Sequence, residues 1–551
     1  MIPPYPVLIT VYAKRFVLFC VFRGKSCTLF LDFPYFALYN DEWNEINFLR
    51  NHRGYFREDF MNTSVALPIV LNGEHWTVTA ISLRAFTDDL DTPVLTNRYY
   101  LFKGMLAERV TGNIFFLENE HDGNAYVILS DCPDYASAEL KIMNFTVNVN
   151  AGTNAVTAVS CKKGECEAAC RAKYREAMDG KSLVTMSNTW GDCNRFTRVC
   201  EDFVIKEIDK AAELGVDIVQ IDDGWQFGNT ADVARRDERG RRVFADDFWQ
   251  INTERFPHGL KYITDYAASK GIKVGIWFAP ESRDHFVCMD RDIAILKNAY
   301  DNWGIRFFKL DMYWIECDSD RDRFLQYLAS VYSFGDDVAV QLDVTRPDRI
   351  NYLNGRQYGT LFVENRYTKK RTYFPHRTFK NFWLLSKYVP ASRFQFEVIN
   401  PALNQEVYSP YDAFAPARYD IDYLFASVML SNPLFWMEMQ FLTDENTEKL
   451  KKMISVFKTY NKVFSEGDAA PIGEIPSGRS FSGFFITHGS EEYALVFREA
   501  TEKDTGVFLI PSEKTNAVIL CSNADVSAFA DSGILKVDFS KQRAFAFMKL
   551  S

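Results

Sequence analysis

The middle of the chain alternates short apolar runs with segments of helical periodicity. Between the first two runs, Val204, Ile208 and Ala211 recur at helical spacing, and Leu260 and Ile263 do the same further along. Such alternation predicts parallel strands joined by crossover helices. The runs that we expect to form strands are SLVTMSNTW, VDIVQIDD, IKVGIWFAP, IRFFKLDM, VAVQLDV, GTLFVEN, RFQFEVIN and one run within LFASVMLSNPLFW.

Eight such units predict an α/β fold of the (β/α)₈ TIM-barrel type. A doubly wound open sheet is the alternative, but no glycine-rich phosphate loop follows any of the runs. On both sides of this region, short apolar stretches separated by Gly, Asn and Asp predict β-sheet. We therefore expect an N-terminal β-sandwich over residues 1–160, the barrel over 161–445, and a small C-terminal β-sandwich over 446–551.

The apolar N-terminus, MIPPYPVLITVYAKRFVLFCVF, raises the question of a signal peptide or a membrane span. Lys14 and Arg15 interrupt it, and the remaining stretch from Phe16 to Phe22 is far shorter than the roughly 20 residues that a spanning helix needs. We predict a first β-strand here, no membrane span and a cytoplasmic location.

Composition narrows the classes of partner. The chain has 551 residues, of which 47% are hydrophobic, and a formal net charge of −10, so a folded protein without nucleic-acid partners is expected. The chain has eleven cysteines, scattered along the sequence. Because their number is odd, at least one thiol stays unpaired in a monomer, which favours a reducing compartment. A zinc site is the alternative for part of this set, but without paired CxxC motifs or a matching His we predict no metal at Cys161, Cys166, Cys170, Cys193 and Cys200.

Carboxylates and aromatic residues follow five consecutive strand runs. In a parallel barrel these ends open onto one face, so we expect the side chains to surround a common pocket. From the second run to the sixth, the residues at or just after the run ends are Asp222, Asp223 and Trp225; Trp277 and Glu281; Lys309 and Asp311; Asp343 and Arg346; and Glu364.

Each acid also has a structural interpretation. A carboxylate at a strand end can cap the next helix, and Lys309 with Asp311 can be a structural ion pair. Mg²⁺ or Ca²⁺ ligation is a further alternative, although the nearby Lys and Arg would compete with the cation. Helix capping does not require Trp beside the acids. Two carboxylates in an aromatic pocket are what glycoside hydrolysis requires, one as nucleophile and one as proton donor.

The segments VQIDDGWQ, FPHGLKYITDYAASKGIKVGIWFAPES and FFKLDMYW resemble barrel segments of glycoside hydrolase family 36, the melibiase-type α-galactosidases. The resemblance covers roughly residues 185–315. It implies that Asp311 is the nucleophile, that Lys309 contacts the sugar, and that Asp222 and Asp223 hold ring hydroxyls. It further implies a retaining reaction on an oligosaccharide or glycoside, without a cofactor, in a pocket shaped by Trp190, Trp225 and Trp277.

Two loops depart from the family pattern. After the fifth strand the family has a Cys and a glycine-rich run leading to Arg, whereas this chain has LDVTRPDR, in which Asp343 and Arg346 are candidate sugar contacts. After the sixth, the family's acid is the Asp of a Ser-Asp pair, and this chain has FVENRYT. We assign the acid/base role to Glu364, with Asp343 in reserve. The changed fifth loop leaves another α-linked hexose or a 2-acetamido sugar open.

Two rival functions remain at this stage. One is a transglycosylase of raffinose-synthase type, which passes the glycosyl group to a sugar acceptor. The other is a barrel that binds carbohydrate without cleaving it, which the altered fifth and sixth loops suggest. Retention of both Lys309 and Asp311 argues against the second.

Overall fold

The computed structural model of this chain describes residues 8–12, 15–22, 25–32, 64–84, 93–132, 137–152, 154–178, 180–193 and 195–551. Met1–Met61 and Asn62–Ser551 form two units. The first contains an antiparallel sheet in the order β1-β2-β3, formed by Leu8–Tyr12, Arg15–Phe22 and Lys25–Asp32. The strand predicted in the apolar N-terminus is therefore present, as β1 and β2.

The second unit begins with a β-sandwich. Its two antiparallel sheets have the orders β4-β11-β10-β7 and β12-β9-β8-β5-β6, and both contribute to a core that includes Val78, Phe115 and Leu140. The strands are β4 Ser64–Val70, β5 Trp76–Leu83, β6 Val94–Tyr100, β7 Val110–Gly112, β8 Ile114–Asn119, β9 Asn124–Ser130, β10 Ala138–Met143, β11 Thr146–Asn150 and β12 Val156–Lys162.

A closed parallel barrel follows, and each of the eight predicted runs contains one of its strands. The fold class is therefore confirmed. The last run is only partly strand, because its first three residues end a helix and its strand begins at Asn432. The elements are β13 Met186–Asn188, β14 Ile218–Ile221, a ribbon of β15 Arg235–Arg236 and β16 Arg242–Val243, then β17 Lys273–Phe278, β18 Phe307–Leu310, β19 Ala339–Asp343, β20 Thr360–Phe362, β21 Phe394–Val398 and β22 Asn432–Phe435.

Helices surround the barrel and bury the periodic positions that predicted them. The helix over Glu201–Leu214 buries Val204, Ile208 and Ala211, and Gly215 ends it with a φ of 83°, a left-handed conformation that favours glycine. The helices are α1 Cys166–Arg175, α2 Glu201–Leu214, α3 Gly259–Ser269, α4 Arg283–Phe286, α5 Met289–Trp303, α6 Asp318–Tyr332, α7 Pro375–Leu385, α8 Ile421–Ala426, α9 Asp444–Thr459 and α10 Asn461–Glu466.

The chain ends in a second β-sandwich. A sheet in the order β23-β24-β25-β30-β27 packs against a three-stranded sheet in the order β26-β29-β28. The strands are β23 Asp468–Gly473, β24 Phe481–His488, β25 Glu491–Arg498, β26 Thr505–Leu509, β27 Ala517–Ser522, β28 Val526–Asp531, β29 Ile534–Phe539 and β30 Ala544–Leu550.

Within the ranges that the structure describes, no helix has both the length and the apolar character needed to cross a bilayer. The barrel register matters more for the site. Trp277 pairs with Lys309, and Lys309 pairs with Gln341. Paired positions of neighbouring strands lie on the same face, so these side chains share one level of the barrel.

A buried ion pair joins α1 to the C-terminal sandwich, and we expect its loss to destabilise the protein. Arg171, which is 2% exposed, makes two hydrogen bonds of 2.9 and 2.8 Å to Asp468 at the start of β23. Asp468→Asn should lower the free energy of unfolding near pH 7 by about 2 kcal/mol, a typical contribution of a charge-assisted hydrogen bond. Urea unfolding measures this.

The pH dependence of this loss of stability provides the control for the ion-pair explanation. Burial opposes ionisation, but Arg171 lowers the pKa of Asp468, so the ion pair stabilises the folded state above the unfolded pKa of Asp. The difference between wild type and Asp468→Asn should therefore shrink as pH falls below about 4. Asp209→Asn, at an exposed ion pair with Lys270, should change stability little at any pH. A constant difference down to acid pH contradicts the ion-pair explanation.

Candidate active site

The carboxyl ends of β14 and β18 meet at a buried ion pair. Lys309 Nζ donates a hydrogen bond of 2.8 Å to Asp222 Oδ2. Asn188, the last residue of β13, donates a hydrogen bond of 2.7 Å to the same oxygen. Burial opposes the charge of Lys309, but the surrounding carboxylates, Asp222 first, raise its pKa above the ordinary value. Lys309 is therefore a fixed cation inside the mouth of the barrel.

Asp311 directly follows β18, and donors hold both of its carboxylate oxygens. Trp277 Nε1 donates to Oδ2 at 3.1 Å, and Arg349 Nη2 lies 3.2 Å from Oδ1. Met312, whose φ of 57° is rare for a residue other than glycine, donates its backbone N–H to Oδ1. Burial opposes ionisation, but Arg349 and then Lys309 lower the pKa of Asp311 below its ordinary value. Asp311 is thus a carboxylate at neutral pH.

Asp343, the last residue of β19, faces the same guanidinium. Its Oδ1 lies 3.8 Å from Arg349 Nε and accepts hydrogen bonds from the N–H and hydroxyl of Thr345 at 2.9 and 2.7 Å. Burial, and then the charge of Asp311, raise the pKa of Asp343 to about 7, against the opposing effects of Arg349 and Lys309. Two acids beside one cation therefore have pKa values shifted in opposite directions.

The charges of this cluster balance when one acid is protonated. The carboxyls of Asp222, Asp311 and Asp343 lie with the cations of Lys309 and Arg349. Full ionisation would leave a net negative charge in a buried, weakly polarisable environment, which is costly. Protonation of Asp343 removes that charge, in agreement with the direction of its pKa shift.

Aromatic side chains form the wall beside Lys309. The ring centres of Phe362 and Trp436 each lie 5.1 Å from Lys309 Nζ. Trp190 packs, partly buried, against the same interior cluster. The next residue, Gly191, leaves no room for a side chain, because a Cβ would lie 2.3 Å from the backbone nitrogen of Met437. This close approach fixes Trp190 at the rim of the cluster.

Asp223 lies outside this cluster, although it is adjacent to Asp222. Its carboxylate accepts hydrogen bonds from the Thr230 hydroxyl at 2.6 Å and from the backbone N–H of Ala231 at 3.1 Å, and Gln226 also donates to it. Burial raises the pKa of Asp223 to about 7, although these hydrogen bonds oppose the shift. These contacts of Asp223 thus organise the loop after β14.

Trp225 lies behind the site. It is fully buried, and its Nε1 donates a hydrogen bond of 2.9 Å to the backbone carbonyl of Trp277. Its ring contacts those of Trp249 and Trp303. In this position Trp225 supports the strand that carries Trp277 and does not line an open pocket.

Glu364 is directed toward a helix. Its carboxylate accepts hydrogen bonds from Thr378 Oγ1 at 2.8 Å and from Asn381 Nδ2 at 2.6 Å, both on α7, and only 2% of the residue is exposed. Arg366 Nε lies 3.4 Å from it. Among the contacts of the described residues, none joins Glu364 to Asp311. The reserve candidate, Asp343, occupies the place beside Asp311 that Glu364 was expected to take.

The arginine of the fifth loop that contacts Asp311 is Arg349, whereas the predicted Arg346 pairs with Asp348. The side chain of Arg346 is 54% exposed and pairs with Asp348 at 2.9 Å. Arg349 is buried, donates to the carbonyl oxygen of Tyr313, and stacks over the ring of Tyr313 at 5.0 Å. Both arginines stand in the LDVTRPDR segment, so the sequence contained the correct residue but not the direction of the loop.

Asn188 is the other contact that the sequence reasoning missed. It stands two residues before Trp190, at the same strand end, and donates to both Asp222 and Gln220. The available signal was an amide side chain at the end of a strand run that was predicted to be buried, because a buried amide needs partners.

The cysteines considered for zinc do not converge. Cys161 Sγ and Cys166 Sγ are 3.7 Å apart, whereas Cys170 Sγ contacts the carbonyl oxygen of Tyr388 at 3.3 Å. Cys200 precedes α2, and the side chain of Cys193 lies outside the described residues. Cys161, Cys166, Cys170 and Cys200 are free thiols.

The cluster has the groups that a double displacement at an acetal carbon uses. Asp311 is an ionised carboxylate fixed by three donors, and Asp343 is an acid that holds its proton up to about pH 7. Lys309, Asn188 and Asp222 supply donors and an acceptor for hydroxyl groups. This is the pairing of nucleophile and proton donor found in retaining glycosidases.

Comparison with known proteins bears on the family resemblance and on the fold. Residues 168–320 match the Melibiase family model. The alpha-galactosidase Mel36A of Lactobacillus acidophilus is 31% identical over 111 residues, which are 20% of this chain and only 13% of that protein. The crystal structure of the GH36 alpha-galactosidase AgaA from Geobacillus stearothermophilus has a TM-score of 0.63 at 14% identity, over 89% of this chain and 76% of that one. This last likeness concerns the fold.

The resemblance first seen in three sequence motifs is thus supported by a family model and by a shared architecture. Residues 168–320 match the melibiase family model, and the fold of the chain resembles that of the glycoside hydrolase family 36 α-galactosidases.

Proposed function

We propose that this chain is a retaining α-glycosidase that releases a terminal α-linked galactose or a closely related hexose. The observation that carries the proposal is the pair of Asp311 and Asp343, which flank Arg349 and have pKa values shifted in opposite directions. Pairs of acids separated in this way identify the ionised and the protonated partner of acid–base catalysis.

The reaction proceeds in two steps. The Asp311 carboxylate attacks the anomeric carbon while the glycosidic bond breaks, and the leaving oxygen takes the proton of Asp343. The Asp343 carboxylate then removes a proton from water, whose oxygen displaces Asp311 from the sugar. Both acids return to their starting states, the product keeps the α configuration, and no cofactor takes part.

The assignment of Asp343 as the acid/base revises the expectation for Glu364. Asp343 lies beside Asp311 and Arg349, whereas the carboxylate of Glu364 is occupied by two side chains of α7. A proton donor must reach the bond that breaks next to the nucleophile. The contacts therefore favour Asp343, and we assign Glu364 to the packing of the barrel on α7.

We assign sugar recognition to the polar groups around Lys309. Asp222 accepts from ring hydroxyls, and Lys309 and Asn188 hold its carboxylate in place. Trp277 orients Asp311 through Nε1, and Trp190 offers an apolar surface at the rim. Solved GH36 structures of AgaA contain raffinose or stachyose. We propose α-galactosides of this class as substrates.

A panel of aryl α- and β-glycosides tests the proposal. We expect turnover of the α-galactoside, weaker turnover of other α-hexosides, and none of the β-anomers. NMR of the first product formed should show the α-anomer of the free sugar. An added sugar acceptor separates hydrolysis from transfer, since a transglycosylase would make new oligosaccharide at the expense of free sugar. Absence of turnover on every α-glycoside contradicts the proposal.

The pH profile should report Asp343. Because its pKa is raised to about 7, kcat/KM on an alkyl α-galactoside should fall as pH rises through about 7, where the proton donor is lost. Asp223 has a similarly raised pKa but lies outside the cluster, so Asp223→Asn should keep this basic limb. Asp343→Asn should lose it. A basic limb that persists in Asp343→Asn assigns the titration to another group.

A further inference from the structure

A second group of reactive side chains lies in the segments after β17 and β18, with His285 in α4, Cys317 directly before α6 and Asp320 in the first turn of α6. The ring nitrogen Nδ1 of His285 is 2.6 Å from Asp320 Oδ1 and 3.7 Å from Cys317 Sγ. One donor atom from each residue lies within 4.8 Å of the other two, and no other trio of His, Cys, Asp or Glu in the described part of the chain meets this condition. The mechanism proposed above uses none of them.

From this geometry we propose that His285, Cys317 and Asp320 bind one divalent transition-metal ion of the zinc type, with one coordination position left for water. Imidazole, thiolate and carboxylate are all zinc ligands, and mixed sets of three are typical of sites that keep an open position. This site is separate from the group around Asp311 and does not depend on the proposed hydrolase activity.

The distances are close to those that a shared ion requires. Zinc bonds of about 2.0 Å to nitrogen and 2.3 Å to sulfur, at a tetrahedral angle, separate the two ligand atoms by roughly 3.6 Å. The observed separation of Nδ1 and Sγ is 3.7 Å. Nδ1 and Oδ1 must move apart by less than 1 Å, to roughly 3.4 Å. His285, whose side chain is 58% exposed, has room for that adjustment.

Asp320 and Cys317 both contact the same ring nitrogen of His285, and this nitrogen can carry only one proton. Nδ1 of His285 satisfies Asp320 when it carries hydrogen, and Cys317 then has no share in that bond. A metal ion in place of the proton contacts all three atoms. Binding would release one proton from the thiol and leave the imidazole neutral, as metal ligation by Cys and His requires.

The surrounding structure holds the ligands in position. Oδ2 of Asp320 accepts the backbone N–H of Glu316 at 3.0 Å, which leaves Oδ1 for the ion. Cys317 is the residue directly before α6, and Asp320 lies in the first turn of that helix, so one segment of backbone holds both ligands. His285 is one of three successive residues with φ between 45° and 60°, and the third, Phe286, is buried against Phe324 of α6.

Nearby arginines are engaged by other carboxylates. Arg241 makes a hydrogen bond of 2.9 Å to Asp237, and Arg321 pairs with Asp322 at 2.7 Å. The same two arginines also pair with the acids nearest the ligands, Arg241 with Asp284 at 3.7 Å and Arg321 with Asp318 at 3.2 Å.

Cobalt and zinc titration of the chelator-treated full chain tests the site. We expect one equivalent of Co²⁺ to produce a thiolate-to-cobalt charge-transfer band, and Zn²⁺ to displace it. Cys317→Ser should lose the band and bind Zn²⁺ more weakly, on the order of a hundredfold, as changes in metal ligand shells do. His285→Gln, a change at an exposed position, should weaken Zn²⁺ binding similarly.

Cys288→Ser is the matched control. Cys288 is another partly buried thiol, in the segment after β17 that also carries His285, and it contacts the Glu281 carboxylate at 3.5 Å. This variant should keep the band, the affinity and the rise in melting temperature that Zn²⁺ gives the wild type. The proposal is overturned by wild-type affinity in both Cys317→Ser and His285→Gln, by loss of the band in Cys288→Ser alone, or by the absence of stoichiometric binding.

Discussion

Asp311→Ala is expected to reduce kcat on an activated aryl α-galactoside by at least about ten-thousandfold, the scale on which loss of a covalent nucleophile acts. The substitution removes the carboxylate that Trp277 and Arg349 orient, and no neighbouring group replaces it at the anomeric carbon. Initial rates with a chromogenic substrate measure the effect.

Two further variants separate chemistry from folding. Alanine at position 311 leaves the donors of Trp277 and Arg349 without an acceptor, so Asp311→Asn, which keeps the shape and an acceptor oxygen, should be equally inactive but better folded. Asp348→Asn changes an acid of the fifth loop that pairs with the exposed Arg346 and should retain activity. Substantial turnover by folded Asp311→Asn contradicts the nucleophile assignment.

Asp343→Asn is expected to produce the second-largest effect, and one that depends on the leaving group. Loss of a general acid typically costs between a hundredfold and ten-thousandfold when the leaving oxygen needs a proton. We expect a loss of this order on raffinose or an alkyl α-galactoside and a much smaller loss on a dinitrophenyl α-galactoside. Added azide, a nucleophile that needs no general base, should restore turnover of the activated substrate and yield a glycosyl azide.

Glu364→Gln is the matched comparison. Because the carboxylate of Glu364 serves Thr378 and Asn381, its amide should lower thermal stability and affect all leaving groups equally. If instead Glu364→Gln shows the leaving-group dependence and Asp343→Asn does not, the roles of the two acids are reversed and the sequence-based assignment was right.

The sequence predicted the barrel because each strand is a buried apolar run, and such runs stand out between helices with periodic apolar faces. The eighth strand was the least certain. The run LFASVMLSNPLFW has apolar residues along its whole length and no clear period, so periodicity could not show that Ile421–Ala426 is helical and only Asn432–Phe435 is strand.

The site was predictable where side chains belong to strands. Asp222, Trp277, Lys309 and Asp343 stand at or next to strand ends, and alternation along a strand determines the face on which each lies. Beyond the strand end, the direction of a side chain cannot be predicted in this way, because loop conformation depends on contacts distant in sequence.

Two of the departures from expectation, at Arg346 and Glu364, lie in loops. Arg349 reaches Asp311 through its contacts with Tyr313, whereas Arg346, three residues earlier, faces Asp348. Glu364, two residues after β20, faces α7 through contacts that follow it by fourteen and seventeen positions. Neither direction follows from residue type or spacing.

The most direct test of the nucleophile is mass spectrometry after reaction with a fluorinated galactosyl reagent. Such a reagent forms a glycosyl ester that hydrolyses slowly. We predict one added glycosyl group per chain, located by peptide mapping on Asp311, and no label in Asp311→Asn. Two results would contradict the assignment. One is a label on a carboxylate other than that of Asp311. The other is a wild-type protein that turns over α-galactosides with inversion and never carries the glycosyl group.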